Sequence, residues 1–106
     1  MSYRDMTPEE AQARLEEPDP PLVLDVRTPE EYVGRHIPGA LLLPVQELAM
    51  RWQELDPDVE TIVVCEHGVR SQMAANYLAQ LGFTRCANMR RGMSAWTGPV
   101  KTGMEP

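Results

Sequence analysis

The run Thr61-Ile62-Val63-Val64-Cys65-Glu66-His67-Gly68-Val69-Arg70-Ser71-Gln72-Met73-Ala74-Ala75-Asn76-Tyr77-Leu78-Ala79-Gln80-Leu81-Gly82 decides the fold. Its first four residues are apolar or β-branched without alternation, the mark of a strand buried on both faces. From Arg70 to Leu81 the apolar residues Met73, Ala74, Tyr77, Leu78 and Leu81 form one helical stripe, and Gly82 supplies a stop. The loop from Cys65 to Val69 joins strand to helix directly, so the chain contains a β-loop-α unit with a cysteine at the end of the strand.

The same alternation extends outward. Upstream, Thr7-Pro8-Glu9-Glu10 and Thr28-Pro29-Glu30-Glu31 each place a capping threonine, a proline at the first helical position and a glutamate three residues after the cap. They predict a helix ending near Glu17 and a short one stopping before Gly34. Between them Leu22-Val23-Leu24-Asp25-Val26 reads as a buried strand, and Leu41-Leu42-Leu43 as a short one after the turn at Ile37-Pro38-Gly39-Ala40. Val45, Leu48, Ala49, Trp52 and Leu55 predict a further helix opened by Pro44. Downstream, a last short strand is expected near Arg85–Ala87, then a turn at Gly92 and a stub of helix through Trp96. Strands alternating with helices call for a parallel sheet covered on both faces, with ligands at the carboxyl ends of the strands.

With 106 residues the chain is one domain's worth, its core expected over about residues 3–97 and residues 98–106 a tail. No apolar run is long enough to span a membrane, and the N-terminal residues carry no secretion signal, so a cytoplasmic home is expected. The net charge of −6 argues against nucleic acid or an anionic membrane as partner. The charge is segregated: residues 1–60 hold 14 acids against 5 bases, and residues 61–106 hold 2 against 5. The second half is therefore suited to a small anion. Two cysteines in such a chain are not expected to form a structural disulfide.

A strand-to-helix loop can turn several N–H groups inward at a sulfur, with Gly68 free to take a conformation that a side chain hinders. The helix dipole adds to this cradle, and Arg70 adds a full charge if its side chain turns toward the loop. Such surroundings favour the thiolate, the nucleophilic form. No second cysteine stands two residues on for dithiol exchange. A cradle of donors suits a persulfide anion or a bound oxyanion. This reading requires Cys65 to be exposed and ringed by inward-facing amides.

Asp25-Val26-Arg27, Glu31-Tyr32, Gly34-Arg35-His36-Ile37-Pro38-Gly39-Ala40, Cys65-x-x-Gly68-x-Arg70-Ser71 and Gly92-Met93-Ser94-Ala95-Trp96, in that order, resemble the motifs of single-domain rhodaneses. The resemblance implies a parallel five-stranded α/β sheet flanked by helices and a catalytic Cys65 that cycles through a persulfide. It also implies a thiosulfate-like anionic donor, a thiol, protein thiol or cyanide acceptor, and neither metal nor organic cofactor. A persulfide carrier with little turnover is the alternative. Phosphatase or arsenate-reductase chemistry is disfavoured, because those related loops run C-x5-R where this one is C-x4-R. The chain departs from the family pattern at Arg91, where a glycine is common beside Gly92.

The remaining candidates divide by surroundings. Glu66, His67, Gly68, Val69, Arg70 and Ser71 form the substrate loop. Glu66 and His67 are expected to face the cleft and tune acceptor choice, with His67 as proton donor to leaving sulfite a further option. Arg70 either binds the anion or braces the loop through an acid. Asp25 and Arg27 are supporting residues, read first as an ion pair holding the neighbouring loop. His36 is expected to be a structural hydrogen-bonder and Cys86 a core residue. Cys65-x-His67 is not a usual zinc-ligand pair.

Overall fold

The computed structural model describes residues 2–106. Five strands, β1 (Arg4–Met6), β2 (Leu22–Asp25), β3 (Leu41–Leu42), β4 (Thr61–Val64) and β5 (Cys86–Met89), form one sheet in the order β1-β5-β4-β2-β3. Every pairing is parallel. Helices α1 (Pro8–Leu15), α2 (Pro29–Gly34), α3 (Leu48–Arg51) and α4 (Val69–Gln80) cover the two faces. The α/β class and the five-stranded parallel sheet expected from the sequence are thus present.

Strand β4 lies at the centre, and all four of its residues are buried. Because side chains alternate across a strand, β4 feeds two separate cores. Val63 and Cys65 pack with Leu24, Val26, Ala74, Leu78 and Phe83 on the α4 side. Ile62 and Val64 pack with Val23, Tyr32, Met89, Met93 and Trp96 on the α1 and α2 side. Cys65 therefore emerges from the sheet toward the amino terminus of α4.

Both threonine-proline helix starts form full capping boxes: the Thr7 and Thr28 hydroxyls accept from the N–H groups of Glu10 and Glu31, whose carboxylates accept from the threonine N–H groups. Helix α2 extends through Gly34 rather than stopping before it.

Three further elements differ from the sequence reading. The helix expected after Pro44 is broken into a 3₁₀ turn (Val45–Glu47), the single turn α3 and a second 3₁₀ turn (Trp52–Glu54). In a 3₁₀ turn residues three apart share a side, which brings Val45 with Leu48, and Trp52 with Leu55, onto the α4-side core. The last strand is Cys86–Met89, two residues beyond Ala87, because the polar Asn88 is satisfied inside the fold. Strand β1 gave no apolar signal, since Arg4-Asp5-Met6 is an edge pairing with β5 alone.

The segment after Trp96 docks back on the body. His36 and Lys101 exchange backbone hydrogen bonds of 2.9 and 2.8 Å, Gly103 N–H donates to Val33, and the Trp96 indole donates to the Pro99 carbonyl. Among the described residues no helix is long and apolar enough to cross a membrane.

Candidate active site

Glu66, His67 and Gly68 are all that separate Cys65 from the first residue of α4. Gly68 is the N-cap, in the left-handed region at φ 89°, and has no side chain with which to cap the helix. The Cys65 sulfur takes that place: Sγ accepts from the Gly68 N–H at 3.0 Å and the Ser71 N–H at 3.2 Å. It therefore sits on the positive end of the α4 dipole, where an anion is stabilised.

A polar chain leads away from the sulfur. The Ser71 hydroxyl lies 3.2 Å from Sγ and donates to Asn88 Oδ1, while Asn88 Nδ2 donates to Asp5 Oδ1 at 3.2 Å. A hydroxyl has one proton and spare lone pairs. In this arrangement Ser71 accepts from the thiol; once the thiol is ionised, a turn of the same hydroxyl gives the sulfur a third donor.

The turn after β5 fixes the loop from outside. Met93 and Ser94 N–H groups donate to the carbonyls of Cys65 and Glu66 at 2.8 and 2.9 Å. Those carbonyls are thereby held outward, which leaves the Gly68 and Ser71 amides facing in. Gly92 permits the contact: at φ 61° it lies so close that a Cβ would stand 2.2 Å from the Cys65 carbonyl oxygen.

The supporting residues are brought together beneath this loop. Arg27 and Asp25, 1% and 0% exposed, form a bidentate pair through Nε and Nη2 at 2.9 and 2.8 Å. Arg27 also donates to Glu66 at 3.1 Å and to the Arg35 carbonyl at 2.7 Å. Burial opposes the Arg27 charge, but the bonds and charges of Asp25 and then Glu66 outweigh it and raise its pKa. Glu66 is thus tied to the buried pair rather than free in the cleft.

Arg70 turns away from the loop. Its Nη1 and Nη2 each donate to Glu31 of α2 at 2.8 Å, so the guanidinium braces the start of α4 through an acid. Those hydrogen bonds, aided by the Thr28 N–H against the opposing effect of burial, lower Glu31 from 4.5 to about 2. Glu31 therefore contributes stability above pH 4.5 that is lost as pH falls toward about 2. Replacing Glu31 by glutamine is expected to cost about 1 kcal/mol near neutral pH, since the pair is partly exposed. Urea titrations at about pH 7 and about pH 3 check this, and the variant should lose less stability than the wild type on acidification.

Cys65 departs from expectation in one respect: it is 1% exposed. The amides face it as required, but the sulfur lies behind the loop. Beside the loop is a pocket of about 280 Å³ lined by Asp5, His67, Gly68, Val69, Gln72, Asn88, Arg90 and Arg91. His67 and Val69 are exposed at its edge. A larger apolar cavity of about 550 Å³, walled by Leu22, Val23, Ile37, Trp96 and Pro99, lies by the amino end of β2, away from the cysteine.

Sequence reasoning missed Asn88 and the Glu31 partner of Arg70. A lone asparagine among apolar residues signals a buried group needing partners, but the strand was read as ending before it. Cys86 lies in the core, where burial pushes its thiol up to about 11. His36 is fully buried, stacked on Tyr32, with its ring nitrogens 2.9 and 2.8 Å from the carbonyls of Tyr32 and Glu105. Among the described residues, no cluster of His, Cys, Asp and Glu could hold a metal.

Known proteins are similar in sequence and in fold. The family description "Rhodanese-like domain" matches residues 7–99. A "Sulfurtransferase" of Allochromatium vinosum is 39% identical over 78% of this chain and 78% of its own length. A "Thiosulfate sulfurtransferase GlpE" of Pseudomonas fluorescens is 38% identical over 94% and 92%. A "Putative sulfur carrier protein YrkF" of Bacillus subtilis is 40% identical over 74% of this chain, which spans only 43% of that protein. A rhodanese-related protein of Thermoplasma volcanium superposes with a TM-score of 0.87 at 30% identity, over 95% of this chain and all of that one. With a family match over most of its length, close relatives and a shared sheet, the chain belongs to the rhodanese-like domain family.

Proposed function

We propose that the protein is a sulfurtransferase in which Cys65 carries the sulfur, moving it from thiosulfate or a similar anionic donor to a thiol or cyanide. The observation that supports this most is the seat of Sγ at the amino terminus of α4, receiving the Gly68 and Ser71 N–H groups. The Cys65 thiolate attacks the outer sulfur of thiosulfate; an S–S bond forms to Cys65 as the sulfur–sulfur bond of the donor breaks, and sulfite leaves with that electron pair. The persulfide anion is stabilised by the donors that held the thiolate. An acceptor thiolate or cyanide then attacks the terminal sulfur, yielding a new persulfide or thiocyanate and restoring the Cys65 thiolate. No net oxidant or reductant is consumed.

Loop residues have distinct parts in this reading. Gly68 and Ser71 supply donors, Arg70 and Arg27 hold the loop in shape, and His67 stands at the mouth. Because the sulfur is 1% exposed, a donor reaches it only after rotation of the side chain or opening of the loop. That burial, together with the sulfur-carrier relative, favours a second reading: a persulfide carrier that is loaded by a partner protein and turns over small donors slowly. A cytoplasmic site of action fits both.

Thiocyanate formation from thiosulfate and cyanide tests the enzyme. Saturable turnover with the parallel-line kinetics of a covalent intermediate is expected. Loading by a partner's persulfide without turnover on thiosulfate would support the carrier, and failure of both would refute Cys65 as a sulfur carrier. Aryl phosphate hydrolysis is expected to be absent.

A further inference from the structure

Arg91 adopts φ 62° and ψ −8°, in the left-handed region. Among the described residues it shares a positive φ outside glycine only with Asp19. Aspartate tolerates that region through local hydrogen bonding, but arginine has no such compensation. A strained backbone next to a reactive loop is a reason to look for a role in its side chain.

The surroundings supply one. Arg91 is exposed and lines the pocket of about 280 Å³ with Arg90, His67, Gln72, Asn88 and one acid, Asp5, whose Oδ1 accepts from Asn88. Its backbone is pressed against the sulfur's loop: a Cβ on Gly68 would stand 2.8 Å from the Arg91 nitrogen. The other cations around the loop are occupied, Arg27 by Asp25 and Glu66, Arg70 by Glu31, and Arg35 by the Met93 carbonyl. Among the described residues, Arg91 and Arg90 make no ion pair, and Arg90 also lies within electrostatic reach of Glu10. Arg91 and Arg90 are thus the cations left for a ligand in the pocket beside the cysteine, and Arg91 is the one whose backbone is set against the loop.

We propose that Arg91 is the specificity-determining residue of this site, binding the charged end of a small anionic sulfur compound whose sulfur faces Cys65. The ligand class is a carboxylate-bearing thiol: a guanidinium takes a carboxylate through two parallel hydrogen bonds, and the pocket that Arg91 lines adjoins the loop carrying Cys65. The proposal rests on the sulfur-transfer reading and names the acceptor for it.

Wild type, Arg91→Gly and Arg91→Lys are compared in transfer from thiosulfate to mercaptopropionate, which is anionic, and to mercaptoethanol, which is neutral. Arg91→Gly is expected to raise KM for mercaptopropionate about fivefold relative to mercaptoethanol, with kcat for the anionic thiol within about twofold, and lysine should keep part of the preference. Relief of the left-handed strain should raise the melting temperature of Arg91→Gly by about 3 °C. A rise in KM for thiosulfate with none for mercaptopropionate would overturn the assignment of the anion to the acceptor. Equal changes for charged and neutral thiols, no change, or a lower melting temperature would overturn the proposal. Shift titrations of Cys65→Ser with the same two thiols need no turnover: binding of the anionic thiol that is lost with Arg91 supports the anion site even if transfer fails in the wild type, whereas equal binding of both thiols would overturn it.

Discussion

Replacing Cys65 by serine is expected to reduce sulfur transfer from thiosulfate by at least about 10³-fold, with the melting temperature moving by no more than about 3 °C. The two effects separate because the position has two jobs. As a cap, Sγ accepts from the Gly68 and Ser71 N–H groups, and a serine oxygen is an acceptor of similar reach. As a nucleophile it has no substitute, since a hydroxyl neither ionises at neutral pH nor holds a transferable sulfur. Cys86→Ser is the control: that thiol is buried in β5, pushed up to about 11, and its loss should leave transfer intact. Thiocyanate formation and thermal melting of the two variants check the prediction. Equal losses in both would contradict it.

Replacing Arg27 by alanine is expected to destabilise the fold by about 3–5 kcal/mol, the range for removing one partner of a buried pair. Asp25, 0% exposed, would be left in the interior without its guanidinium partner. The Arg35 carbonyl and Glu66 would lose a donor at the same time. Because Glu66 belongs to the loop that carries the cysteine, sulfur transfer should fall even in the folded fraction. Urea denaturation near neutral pH checks the size of the loss. A paired Asp25→Leu, Arg27→Met variant should recover part of it, since an apolar pair leaves no unpaired charge. A loss below about 1 kcal/mol for Arg27→Ala would contradict the role given to this pair.

The parts of the fold legible in the sequence were those whose signal is local. Thr7-Pro8 and Thr28-Pro29 announce helices because capping boxes close within three residues, and Thr61–Val64 announces a central strand because burial on both faces leaves it wholly apolar. Strand β1 was not legible, because an edge strand needs no apolar face and Arg4-Asp5-Met6 has only its pairing with β5. The segment after Pro44 has helical periodicity but folds as 3₁₀ turns around α3, a difference set by packing against the core.

At the site, Gly68 and Ser71 were legible because a strand-to-helix loop dictates where their amides point. The partners of Arg70 and Arg27 were only partly so. Glu31 lies 39 residues from Arg70, as Glu66 does from Arg27, and no spacing rule links them. The burial of Cys65 was not legible either, because it follows from packing in the α4-side core with residues distant in sequence, Leu24 and Val26 among them.

The most direct test is to treat the reduced protein with thiosulfate, remove the excess and weigh its cysteine-containing peptides. The peptide bearing Cys65 should gain one sulfur atom, lose it on brief exposure to cyanide, and remain unchanged in Cys65→Ser. A gain on Cys86, or none on the wild type under conditions where the folded protein accepts no sulfur from a persulfide donor either, would contradict the assignment of Cys65 as the sulfur carrier.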